Sequence, residues 1–250
     1  MAIPTDITLK TLKGSWTLSY DSYASHPFLS PRSFNRSANN KKPQQGVSWL
    51  TRKAIGAATL TLHFTSTVKP HQPESASPTG DDDHEGKVAY LTMRQTLTGG
   101  IPGSTEERVM DWLERGRSNH VYGDVLSRSR FVRGVRGDDG GMRPDIQVQS
   151  KTEAGDEVVG KIKAFLTGGT PYLPPDFASA SGQNGNEKEQ KEYPDLYIHD
   201  FGRNEKSEWT AEQIWGLEVI DSQAYLTRRV AVVKGDEYEL ARLVYRFSGL

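Results

Sequence analysis

Leu12-Lys13-Gly14-Ser15-Trp16-Thr17-Leu18 near the start of the chain and Leu240-Ala241-Arg242-Leu243-Val244-Tyr245-Arg246-Phe247 near its end decide how the rest is read. Both are strand-like runs. Working inward from the end, Trp209 to Ile220, Ala224 to Val233 and Tyr238 to Phe247 read as three consecutive strands. Asp221-Ser222 and Gly235-Asp236 supply the turns between them, Gly235 being free to take a positive φ. Working outward from the start, Thr59 to Val68 alternates, with Leu60, Leu62 and Phe64 on one face and Thr61, His63 and Thr65 on the other. That is the pattern of a half-buried strand. Lys87 to Thr98 follows, with Leu91, Met93 and Leu97 set against Tyr90, Thr92 and Arg94. Thr105 to Leu113, Val121 to Val132, Glu157 to Leu166 and Leu196 to Phe201 read as further strands. Many short strands separated by turn chemistry argue for an all-β antiparallel barrel rather than βαβ units.

The composition sets outer limits. The 250 residues suit one large β domain, and we read 1–250 as a single unit. Hydrophobic residues make up 35% and mean hydropathy is -0.64, but the polarity is concentrated in loops, so the strands can still bury a core. Those loops are about 30–45, 69–86, 134–156 and 174–194. Thirty-one basic against 32 acidic residues give a net charge of -1, which offers no electrostatic capture of nucleic acid. With no cysteine, disulfides, thiolate catalysis and Cys-based zinc sites are excluded. Met1 to Lys13 lacks the basic and apolar regions of a secretory signal, and no run of about 18 apolar residues would span a bilayer. The expectation is a cytoplasmic protein with no membrane span.

Within Gln45 to Ala58, Val47, Leu50, Ala54 and Ala58 recur at near-helical spacing and predict a short helix between the first and second strands. Leu97-Thr98-Gly99-Gly100-Ile101-Pro102 is echoed by Leu166-Thr167-Gly168-Gly169-Thr170-Pro171; Thr-Gly-Gly-x-Pro is good turn chemistry wherever it stands.

Inward-facing aromatics would line a pocket for a small hydrophobic molecule. The candidates are Trp49, Tyr90, Trp112, Trp215, Tyr225 and Tyr245, with Arg94, Arg130 and Arg229 as polar anchors. For acid-base chemistry the candidates are Glu107, Asp111 and His63. Glu107, Val109 and Asp111 share one strand face, and Arg108, Met110 and Trp112 share the other. If the first face points inward, two carboxylates enter a low-dielectric cup with raised pKa values. A one-residue shift of register would bring Met110 and Trp112 inside and expose both acids. The histidines show no metal-binding spacing, Asp81-Asp82-Asp83-His84-Glu85-Gly86 lacks the spacing of a calcium loop, and no phosphate-binding Gly-rich motif occurs. No metal and no cofactor are therefore expected.

Gly14-Ser15-Trp16 on the first strand, with Arg242 on the last, resembles the Gly-x-Trp and closing arginine of the calycins, the lipocalin and fatty-acid-binding-protein barrels. The resemblance implies a lipocalin-like barrel that cups one small apolar molecule. It also implies that Arg242 packs over Trp16 as a structural pair, and that the Gln45 to Ala58 helix is a lid. QGVSWLTRKAIGAATLTL (Gln45 to Leu62), QTLTGGIPGSTEERVMDW (Gln95 to Trp112) and SEWTAEQIWGLEVI (Ser207 to Ile220) resemble a group of fungal lipocalin-like proteins, whose relatives include cofactor-free pericyclases and other cyclases of secondary metabolism. Three readings stay open: intracellular binding of a hydrophobic metabolite, a cofactor-independent cyclase or isomerase, and an interaction module with a filled core.

Overall fold

Eleven antiparallel strands form one sheet that curls into a half-barrel. The structure is a computed structural model and describes residues 2–19, 60–70, 86–98, 101–119, 123–137, 141–169, 171 and 193–250. The lid helix expected over Gln45 to Ala58, with Trp49, lies outside the described residues, as do loop 30–45 and 174–192 of the last expected loop, whose final two residues open a strand.

The strands are β1 (Gly14–Leu18), β2 (Leu60–Pro70), β3 (Lys87–Leu97), β4 (Ile101–Val109), β5 (Arg115–Asn119), β6 (Gly123–Arg136), β7 (Met142–Pro144), β8 (Tyr193–Asn204), β9 (Trp209–Ile220), β10 (Gln223–Lys234) and β11 (Glu237–Gly249). Their order is β4-β3-β2-β1-β11-β10-β9-β8-β6-β5, with β7 beside β6. The first and last strands are thus neighbours at the centre of the sheet. Gly14 has φ 81, and a Cβ there would meet the Gly249 carbonyl oxygen at 2.6 Å, so the glycine of Gly-x-Trp is required by the close approach of β11. Both expected hairpins are two-residue turns. Asp221 (φ 47) and Ser222 (φ 63) join Ile220 to Gln223, and the Gly235-Asp236 turn joins Lys234 to Glu237.

The sheet has an apolar layer on each face. Its inner face carries Leu62, Phe64, Met93, Trp215, Leu226, Tyr245 and Phe247, and the N-terminal segment lays Ile3, Ile7, Leu9 and Leu12 against them. Ser66 anchors that segment by donating from Oγ to the Leu12 carbonyl at 2.7 Å. The second layer lies outside, where α1 (Asp156–Leu166) packs Ile162 and Leu166 on Val132, Tyr197, Ile214 and Ala231.

The helix corrects an expectation, because Glu157 to Leu166 reads as a strand. Ile162, Ala164 and Leu166 alternate with Lys161, Lys163 and Phe165, but Val158, Ile162 and Leu166 equally fit steps of four. Asp156 and Glu157 in the first turn, Lys163 in the last and a Glu157–Lys161 pair at 2.7 Å favour the helix. The stretch 134–156, expected as a loop, contributes β7 and then a strap, 145–155, bound across the outer face. Glu212 accepts from the Gln149 and Ser150 backbone N–H groups at 2.9 Å each. The Thr-Gly-Gly-x-Pro echo follows a strand at one place and α1 at the other.

Candidate active site

The register of β4 decides which charged side chains enter the half-barrel. Met110 packs in the inner core, so Arg108 and Glu106 share its face. On β8 Ile198 is inward, which brings Asp200 to the same side; on β9 Trp215 and Gln213 are inward, and on β10 Leu226 and Arg228. These residues meet around the Trp215 ring.

Arg108 and Asp200, with side chains 9% and 8% exposed, form the centre of this polar pole. Arg108 donates from Nε to Asp200 Oδ2 at 2.8 Å and from Nη2 to Glu106 Oε2 at 2.9 Å. The Trp215 indole N–H donates to the same Asp200 oxygen at 2.8 Å. Burial pushes the Asp200 carboxyl up, but Arg108 and the nearby Ser129 and Trp215 donors outweigh it and hold it below its ordinary value. Burial likewise weakens the Arg108 cation, and Asp200 with Glu106 more than restores it. The guanidinium and carboxylate are therefore a fixed ion pair in low dielectric. Arg228 lies 4.8 Å from the Trp215 ring centre and donates from Nε to Gln213 Oε1 at 2.7 Å. Tyr245 stacks on Trp215 at 6.2 Å between ring centres, and burial pushes its phenol up while Arg228 pulls it back. Three buried polar atoms of this cluster have no hydrogen-bond partner among the described residues: Arg108 Nη1, Asp200 Oδ1 and the Tyr245 hydroxyl. Buried polar atoms are normally paired, which makes this cluster a candidate site.

Other nominated residues are elsewhere. The proposed Glu107–Asp111 pair does not enter the half-barrel: Met110 is inward, as the alternative register has it, but Trp112 lies on the outer side and the Asp111 side chain is buried. Glu107 is exposed, 3.8 Å from Lys69, and Asp111 sits in the turn after β4, where it binds Arg115 at 2.6 Å. His63 faces outward between Ser15 Oγ and Thr96 Oγ1, each 2.9 Å away, and burial with the nearby Arg94 lowers its pKa. Tyr90 and Arg94 are on that same outer face of β3, Tyr90 under the Lys69 ammonium at 4.4 Å. Tyr225 donates to Gln223 near the β9–β10 turn. Arg229 and Arg242 both bind Glu218 on the outer face, beneath the end of α1. The resemblance placed Arg242 over Trp16. The register instead sets Arg242 opposite Arg229, and the fully buried Trp16 meets Phe247 edge to face at 5.2 Å.

Trp112 and Arg130 do come together, 4.3 Å from guanidinium to ring centre. They line an outer cleft of about 410 Å³ with Asp145, Gln147 and Gln149. Behind it Trp112 covers His199, whose Nε2 meets Glu212 Oε1 at 2.8 Å. Trp215 and Tyr245 are the two nominated residues in the inner pole. Arg108, Asp200 and Arg228, which complete it, were missed as site residues. Their signal is a charge on the apolar face of a strand, as in Arg108 beside Met110 and Asp200 beside Ile198.

Among the described residues no helix is long and apolar enough to cross a membrane, and no group of three His, Cys, Asp or Glu is placed to hold a metal ion. Fold and site together define an all-β antiparallel half-barrel with a buried ion pair, Arg108–Asp200, on its inner face. No family model matches the chain, and no solved structure matches it. Distant similarity runs over its whole length to a pericyclase, pydY, from an Acremonium species, 23% identical over 249 residues that span 100% of this chain and 98% of the relative. A probable pericyclase, scpY, from Mollisia scopiformis is also 23% identical, over 251 residues spanning 99% of this chain and 95% of the relative.

Proposed function

We propose that the protein is a cofactor-independent cyclase of the pericyclase type, built on a lipocalin-like barrel. The observation that carries this reading is the unpartnered Arg108 Nη1, buried on the inner face and held by Asp200 and Glu106. The whole-length similarity to two pericyclases favours the cyclase over a simple carrier of a hydrophobic metabolite, the reading the polar-anchored cup otherwise supports equally.

A pericyclic reaction moves electron pairs around a ring of atoms and needs no proton donor, nucleophile or cofactor. The protein's part is to hold a flexible polyene folded with its reacting carbons in contact, and to stabilise charge that builds on a conjugated carbonyl. The apolar inner face, Phe64, Met93, Leu226 and the Trp215–Tyr245 stack, does the first by confining the chain. Arg108 does the second by donating from Nη1 to the carbonyl oxygen, which withdraws electron density from the conjugated double bond. Asp200 and Glu106 fix the guanidinium in place before substrate arrives, so little reorganisation accompanies the reaction.

The test uses the source organism with this gene deleted. A precursor should accumulate that purified protein converts to an isomer of unchanged mass, and Arg108→Gln should lower the rate by about 10²–10³-fold, as loss of an oxyanion donor does. Tight binding of the precursor with no conversion above the spontaneous rate would establish the carrier instead.

A further inference from the structure

The charged groups around Trp215 are unevenly paired. Arg108 and Arg228 both approach its ring, with Asp200 and Glu106 close by. Both carboxylates are engaged by Arg108. Arg228 is different. Its hydrogen-bond partner is the neutral amide of Gln213, its guanidinium rests on the Trp215 ring, and among the described residues no carboxylate meets it. It is half-buried, so a ligand can reach it while water screens it little.

We infer that this pole selects a ligand whose polar end is an oxyanion, a carboxylate or the enolate of a 1,3-dicarbonyl, over a neutral or cationic end of the same shape, with Arg228 as the residue that reads the charge. The inference rests on the reading that the cup receives a small apolar molecule. Arg108 carries the fixed donor of that site, and Arg228 sets which molecules enter it. Asp200 does not oppose an anion, because its charge is absorbed by Arg108.

The test is fluorescence titration of the full chain with cis-parinaric acid and with its methyl ester, at pH 8 so that the acid is ionised. The acid should bind at least about tenfold more tightly than the ester, the worth of one charge-assisted hydrogen bond. Arg228→Gln should erase that difference by weakening the acid alone, and Arg228→Lys should keep much of it. Equal affinities for acid and ester in the parent, or an Arg228→Gln variant that loses both equally, would overturn charge selection while leaving the cup intact. Failure of both probes to bind a protein with an unchanged melting curve would overturn the cup reading itself, and the inference with it.

Discussion

At the residue scale, Arg108 and Asp200 show how a buried ion pair ties structure to chemistry. Such a pair stabilises little over apolar residues, yet breaking it is costly because one charge is left alone. Arg108→Met should therefore cost about 3–5 kcal/mol of unfolding free energy, and adding Asp200→Leu should recover most of it, as read by urea denaturation. If the double variant is no more stable than the single one, the pair is not what holds β4 against β8. The same pair sets an acid limit. Asp200 has a depressed folded pKa, so its contribution is fully present above the ordinary unfolded carboxylate value of about 4 and disappears as pH falls through the folded value. Asp200→Asn should flatten the acid limb of the stability profile and leave its slope above pH 6 unchanged. Selection of the Glu106–Arg108–Met110 face over the Glu107–Asp111 face was not legible in the strand. Both faces carry charge and one large apolar group, and only the fit of Met110 into the inner core separates them.

At the element scale, α1 and the turn that follows it brace the outer wall behind the site. Leu166 is fully buried against that wall, and Leu166→Ala should cost about 2–5 kcal/mol by thermal or urea melting. Gly169, at φ 118, allows the chain to cross Glu218, where a Cβ would lie 2.7 Å from the carboxylate. Gly169→Ala should displace Glu218 from Arg229 and Arg242 and destabilise by about 1–3 kcal/mol. A melting temperature equal to the parent's would show that the turn yields without disturbing Glu218. Strands bounded by clear turns, β9 to β11 above all, were legible because alternation and turn residues agreed. The helix was not, because a four-residue step satisfies periods of both two and about four.

At the scale of the whole molecule, the N-terminal segment is part of the barrel's interior. Ile3, Ile7, Leu9 and Leu12 belong to the same buried core as Trp16, Leu62, Phe64 and Phe247. Deleting residues 2–12 should lower the melting temperature and create binding of an apolar dye such as anilinonaphthalene sulfonate. A truncated protein that melts like the parent and binds no dye would mean the segment lies on the barrel without supporting it.

The sequence by itself determined the all-β class and the positions of the hairpin turns, because these depend on residues within a few positions of one another; the pairing of the first and last strands, Trp16 opposite Phe247, is a contact across the whole chain. It also nominated Trp215 and Tyr245. Only the tertiary structure decided that Trp16 packs on Phe247, that Arg242 serves Glu218, and that Arg108, Asp200 and Arg228 converge on Trp215. Those four meeting residues come from β4, β8, β10 and β9. Their meeting depends on strand register and sheet curl, which are set by the packing of the whole inner core, and a shift of one residue in any strand would turn its charge outward.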